Sequence, residues 1–109
     1  MLRSIKEMLD YSILATDGEI GQVTDILLSD SDLKARYLVI DTGGWLFGRH
    51  VLLSTEWLSS VAPEKKMILV NIEKKRIMES PPYDPDAAIP REYEARLHDH
   101  YGWPCYWQP

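Results

Sequence analysis

The sequence predicts a mainly β protein: a small antiparallel β-barrel of six short strands, followed by a helix and an aromatic tail. Three observations lead there. Residues 1–80 break into short runs rich in β-branched and aromatic residues, separated by turns bearing Gly, Asp and Pro, with no long helix between them. Residues 81–109 change character: Pro81, Pro82, Pro85 and Pro90, then an amphipathic stretch, then two tryptophans and two tyrosines within residues 101–107. Finally, 109 residues that are 45% hydrophobic suffice for one core and are too few for two. The expected division is therefore a barrel over residues 1–80 and a proline-rich linker, helix and docking tail over residues 81–109.

Each element has a local reason. Ser4 with Glu7 three residues on has the capping-box spacing, which predicts a short helix over residues 5–9. Residues 12–16 read as the first strand, and Asp17-Gly18 as a hairpin turn in which glycine accepts positive φ. In the second strand, residues 20–29, the apolar positions Ile20, Val23, Ile26, Leu27 and Leu28 break strict alternation and Gly21 lies inside, so a bulge or sharp bend is expected. Asp30-Ser31-Asp32 turns the chain into residues 35–42, the clearest strand. A glycine-flanked loop then carries Trp45, Leu46 and Phe47. Residues 49–54 return as a strand, residues 54–58 make one helical turn, and residues 59–62 form a weak fifth strand. Pro63-Glu64-Lys65 turns into the sixth strand, residues 66–72, and a short helix over 74–79 is stopped by Ser80-Pro81-Pro82.

Two strands carry further information. In the sixth, Ile68, Val70 and Ile72 form one apolar face, which belongs inside. In the third, neither face is polar: Leu38 and Ile40 lie on one side, Tyr37 and Val39 on the other. A barrel has one interior. The second face therefore needs a cover, either the tail or a second copy of the chain. The tail has the means, because Pro90 suits the start of a helix, Gly102 its end, and Tyr93, Leu97 and Tyr101 recur every four residues as one apolar stripe. Glu92 and Glu94 sit near the positive end of that helix, and His98 and His100 near its negative end.

Composition narrows the function. Twelve basic and seventeen acidic residues give a net charge of −5, which repels a phosphate backbone. The one basic run, Lys74-Lys75-Arg76 with Lys65-Lys66 before it, is bounded by Glu73 and Glu79 and reads as a solvated helix face, so nucleic-acid binding is not expected. No apolar run approaches the ~20 residues that span a bilayer. The first residues hold no apolar signal core, and a single cysteine, Cys105, fits a reducing compartment; the expected location is cytoplasmic.

Motifs for catalysis are missing. Ser54, Ser59-Ser60 and Cys105 lack an activating context, and no phosphate or dinucleotide loop occurs. Asp30-x-Asp32 begins a calcium-loop pattern, but Ala35 stands where glycine is needed and Asp41 where glutamate is. His98 and His100, two apart on a helix, point about 200° from each other and cannot chelate together; interaction with the helix end is the expected role. His50 is expected at the surface. Asp17, Glu19 and Asp25 cluster around the first hairpin and form the one possible polar site, with a turn-forming, a solvated and a strand-end role as the plainer reading. No enzyme activity, metal or cofactor is expected. The Trp45-Leu46-Phe47 loop either folds onto the barrel mouth or projects as an interface anchor.

Gly18-Glu19-Ile20-Gly21-Gln22-Val23-Thr24-Asp25, then Arg36-Tyr37-Leu38-Val39-Ile40-Asp41, then Val51-Leu52-Leu53, resembles the PRC-barrel domain over about residues 4–80. That family includes the cytoplasmic domain of the photosynthetic reaction centre H subunit and the C-terminal domain of the ribosome maturation factor RimM. In the tail, Arg91-Glu92-Tyr93-Glu94, Tyr101-Gly102 and Tyr106 are similar to the H subunit's C-terminal region. The resemblance implies an assembly or adaptor module without a catalytic centre. It also implies two lesser readings: a ribosome-assembly or RNA-associated role, which needs a continuous basic face around Lys65, Lys66, Lys74, Lys75 and Arg76, and a proton-handling or small-ligand site at Asp17, Glu19 and Asp25. The H subunit's membrane helix and RimM's RNA-binding barrel have no counterpart here, so a stand-alone module is expected. The leading expectation is a protein-binding adaptor that forms a homodimer, with Tyr37, Val39, Trp45, Phe47, Tyr93, Leu97, Tyr101, Trp103, Tyr106 and Trp107 at its docking and interface surfaces.

Overall fold

Strands β1 (Ser12–Ala15), β2 (Gly18–Leu28), β3 (Ala35–Asp41), β4 (His50–Ser54), β5 (Leu58–Ala62) and β6 (Met67–Val70) precede two helices, α1 (Lys74–Met78) and α2 (Arg91–Tyr101), in the computed structural model. It describes residues 8–29, 32–43, 49–86 and 88–107. Most of the expected first helix, the Asp30-Ser31 half of the second turn, and the loop with Trp45, Leu46 and Phe47 lie outside the described residues.

The six strands form one sheet in the order β4-β3-β2-β1-β6-β5. Two expectations need correction: the sheet is mixed rather than antiparallel throughout, and it is not closed. β1 and β6 run parallel, pairing Ser12 with Met67, Ile13 with Ile68 and Leu14 with Leu69. Strand direction leaves no mark on residue alternation, and these partners are far apart in the chain. Closure would require β4 to pair with β5. Instead a single 3-10 turn, Thr55–Trp57, carries the chain from one edge to the other, and the edge of β4 meets Tyr83 at its first residue, where the Tyr83 N–H donates to the His50 carbonyl at 3.0 Å. His50, expected at the surface, is half-buried at that bridge.

The irregular second strand behaves as its composition requires. Opposite β1 the register slips so that Ile13 faces Gly21 while Leu14 faces Glu19, leaving Ile20 as the extra residue of a bulge. Gly21 has φ +154°, and a β-carbon there would collide with the Asp41 carbonyl. Opposite β3 a second slip leaves Thr24 unpaired between Val23 and Asp25. Two bulges bend β2 enough to serve both halves of the sheet.

Tyr37, Leu38, Val39 and Ile40 are all buried, so both faces of β3 are covered. Leu38 and Ile40 join Ile13, Ile20, Leu52, Leu53 and Ile68 in the core, and Tyr37 turns toward α2. Helix α2 starts at Pro90, held in an extended conformation, and stops at Gly102, where φ is +68°. Its end is a Schellman motif: the Gly102 N–H donates to the Asp99 carbonyl and the Trp103 N–H to the His98 carbonyl, at 3.1 and 3.0 Å. Tyr93, Leu97 and Tyr101 are buried, as their four-residue spacing requires. The linker is fastened as well. Tyr93 Oη donates to the Pro81 carbonyl at 2.8 Å, and the Arg49 guanidinium donates to the Met78 and Ser80 carbonyls.

Candidate functional site

The contact between sheet and tail is polar at its centre. β3 sends Tyr37 outward, and α2 presents Glu94 and His98, one turn apart and in phase with its apolar stripe. Tyr37 Oη donates to Glu94 Oε1 at 2.9 Å and lies 2.9 Å from His98 Nε2. The other ring nitrogen of His98 is 3.1 Å from the Pro104 carbonyl; a carbonyl only accepts, so Nδ1 carries a proton there. Glu94 is 7% exposed and His98 1%. His98 is therefore not the exposed partner of the helix end that its position implies. Its ring packs edge-on to Trp57 at 5.2 Å and Tyr37 at 5.9 Å. Burial, and then the bond to Glu94, push the Tyr37 phenol far above its ordinary range, so it acts as a fixed donor.

Around this centre, cations hold the aromatic tail. The Arg36 guanidinium lies over the Tyr106 ring at 4.2 Å, and that of Arg91 over Trp107 at 4.1 Å and Tyr106 at 5.4 Å. Arg91 Nη1 also donates to Tyr106 Oη at 3.2 Å and stands 3.7 Å from Glu94 Oε2. Arg36 is braced by Asp32 at 2.7 Å. Asp32 itself accepts the Ser29 hydroxyl and the Lys34 N–H, which with Arg36 hold its carboxyl below the usual range. That is a turn carboxylate, in line with the reading preferred over a calcium loop.

Of the clefts beside α2, two border this contact. One, of about 520 Å³, is walled by Leu28, Arg36, Tyr37, Arg91, Glu94 and Tyr106. The other, of about 370 Å³, lies at the start of β5 between Trp57, Leu58, Ser59, Tyr101 and Trp103, with Glu56 and Arg76 among its walls.

The structure brings Tyr37, Val39, Tyr93, Leu97 and Tyr101 together beneath or along α2, with Tyr106 and Trp107 half-buried at its margin. Trp103 departs from expectation: it is 47% exposed. The left-handed turn at Gly102 brings it out to the surface, where its Nε1 donates to Glu56 Oε2 at 3.1 Å. Asp17, Glu19 and Asp25 are not drawn into one pocket. Asp17 accepts the Lys74 N–H at 2.9 Å at the start of α1, Glu19 is exposed, and Asp25 accepts the Ile26 N–H at 2.8 Å. The Tyr83 phenol is raised first by burial and then by the charge of the Asp25 carboxylate. His100 Nε2 lies 2.6 Å from the Arg76 carbonyl. Among the described residues no three His, Cys, Asp or Glu side chains are placed to hold a metal ion, and no helix is long and apolar enough to cross a membrane.

Sequence reading missed Trp57, Glu94, His98, Arg36 and Arg91 as parts of this site. For Glu94 and His98 the signal was present, since they follow Tyr93 and Leu97 by one residue and widen the same stripe. Trp57 carried none, because its partners, Tyr101 at 4.5 Å and His98, come from the far end of the chain.

The family model described as PRC-barrel domain matches residues 2–77. No curated protein matches the chain. The matched segment ends just before the linker, so Tyr37 comes from the matched domain while Glu94 and His98 come from the appended tail.

Proposed function

The chain belongs to the PRC-barrel family, and from that premise we propose that it is a non-catalytic protein-binding module that acts in assembly. One observation carries the reading. Tyr37, Glu94 and His98 beneath α2 are engaged with one another, whereas Leu28, Leu33, Val61, Met78 and Trp103 stand exposed, Leu33 at 71%. Exposed large apolar side chains, Trp103 above all, are the kind of group that anchors a protein–protein contact. Tyr37 and Glu94 face each other across 2.9 Å, an arrangement suited to holding the tail rather than turning over a substrate.

Self-association loses its first motive, because α2 covers the second face of β3 within one chain; a dimer would have to use the exposed side chains. Less supports an RNA-associated role. The Arg76 guanidinium lies 6.0 Å from the Tyr101 ring and reaches the His100 carbonyl at 3.5 Å, so the basic run is partly turned onto the tail. The proton-handling reading has the divergence of Asp17 and Asp25 against it. The test is capture with tagged wild-type chain and with Leu33→Asp and Trp103→Asp variants, followed by sedimentation of the purified chain. The expected result is a protein retained reproducibly by the wild type and lost with at least one variant. Retention of nothing beyond the tag control would end the proposal.

A further inference from the structure

The two ends of the sheet are treated differently. At β4, Val51, Leu52, Leu53 and Ser54 are all buried, and Tyr83 bonds to His50 at the start of the edge. Among the described residues β5 pairs with β6 alone, and its Ser59, Ser60 and Val61 are exposed. Free edges are ordinarily guarded by Lys, Pro or a bulge. The run Leu58-Ser59-Ser60-Val61-Ala62 holds neither Lys nor Pro, and a bulge at Ser59 interrupts it. At the start of this strand opens the cleft of about 370 Å³, whose aromatic walls Trp57, Tyr101 and Trp103 alternate with Leu58 and the charged Glu56 and Arg76. A backbone edge with no strand against it among the described residues, beside a pocket with aromatic walls, is the arrangement by which a sheet adds a strand from a partner. Main-chain bonds provide the hold and the pocket selects a side chain.

We propose that the β5 edge and this cleft together receive an extended segment of a different protein, one that carries a large aromatic or aliphatic side chain for the cleft. The inference rests on the protein-binding reading above and names where and how the partner docks. A second copy of the chain fits less well. Antiparallel pairing of β5 with its twin about Ser60 sets Leu58 against Ala62, which leaves the cleft unfilled, and directs Glu56 toward Glu64, two like charges. The Trp103 indole N–H is already engaged by Glu56, so its ring is free to act as a stacking wall. The bulge limits the added ladder to about residues 60–62, which leaves selection to the pocket.

A displayed library of short linear peptides, selected against the intact chain, tests this. Enriched peptides are expected to share an aromatic or large aliphatic position, to slow amide exchange at residues 59–62 and to change Trp103 fluorescence. Trp103→Ala, or alanine at the shared peptide position, should each weaken binding about tenfold or more. Since Trp103 is half-exposed, its replacement leaves the fold intact, which thermal melting verifies. Failure to enrich any peptide overturns the docking mode, as does protection confined to other strands or binding indifferent to Trp103→Ala. Protection of residues 59–62 that grows with protein concentration alone assigns the edge to a second copy and overturns it too. A native partner captured in the earlier experiment that leaves these amides unprotected sinks this inference alone; the broader reading falls only if capture itself fails.

Discussion

The Tyr37 hydroxyl has two polar neighbours, Glu94 Oε1 and His98 Nε2, each at 2.9 Å. Tyr37→Phe keeps the ring and takes one partner from a buried carboxylate and a buried imidazole, which should cost about 1–3 kcal/mol in urea unfolding. Tyr101 makes the contrast. Its Oη is buried with no hydrogen-bond partner among the described residues, so Tyr101→Phe should be near neutral at pH 7, within about 0.5 kcal/mol. A larger loss there than at Tyr37 would refute the assignment. The same residues set the alkaline limit of the fold. Burial raises the Tyr101 phenol to about 12, and burial first raises Tyr37 and Tyr93 further. A phenol whose folded value exceeds its unfolded value of about 10 favours the folded state while protonated. Its contribution is therefore complete below about pH 10 and is lost as pH rises through the folded value. Tyrosinate absorbance from these rings should appear together with unfolding between about pH 10 and 12, and Tyr101→Phe should lessen the decline. Full ionisation of every tyrosine near pH 10 in a chain still folded by circular dichroism would contradict it.

At the scale of elements, α2 is a short helix that depends on its neighbours. Leu97 is fully buried, and Leu97→Ala should cost about 2–5 kcal/mol. Trp103→Ala, just past the helix end, should cost less than about 0.5 kcal/mol, as surface positions do. Two residues of similar hydrophobicity, six apart, thus differ because the Gly102 turn directs one inward and the other out. Gly21 tests β2 in the same way. Gly21→Ala would drive a β-carbon into the Asp41 backbone carbonyl, at about 3 kcal/mol or more from overpacking and backbone strain. Gly43, with φ +63° and open space around it, should lose only about 1–2 kcal/mol on the same change. Chemical denaturation of the four variants ranks them directly.

For the whole molecule, the tail is part of the fold. Ending the chain after residue 80 removes α2, uncovers Tyr37 and Val39, and takes the cover from Trp57. Such a chain should aggregate or self-associate, seen as a rise in sedimentation coefficient with concentration, and should bind a hydrophobic dye. A monomeric truncated chain with the parent's melting temperature would show that α2 contributes nothing. The sequence allowed the cover over β3 to come in cis or from a second copy. The distance from Tyr37 to Glu94, 57 residues along the chain but 2.9 Å in space, puts it in cis.

What residue order alone determined were the features local physics controls: six strands from alternation and turn residues, a bulge where Gly21 interrupts β2, a helix between Pro90 and Gly102, and a second apolar face on β3 that demanded shelter. What only the tertiary structure decided were the relations between distant segments. β1 and β6 lie parallel, the sheet stays open at β4 and β5, and His98 is drawn under the sheet while Trp103 is left outside it. Side-chain periods report which face of an element is apolar, but not which distant element meets it, nor whether a polar residue on that face will find a partner once there.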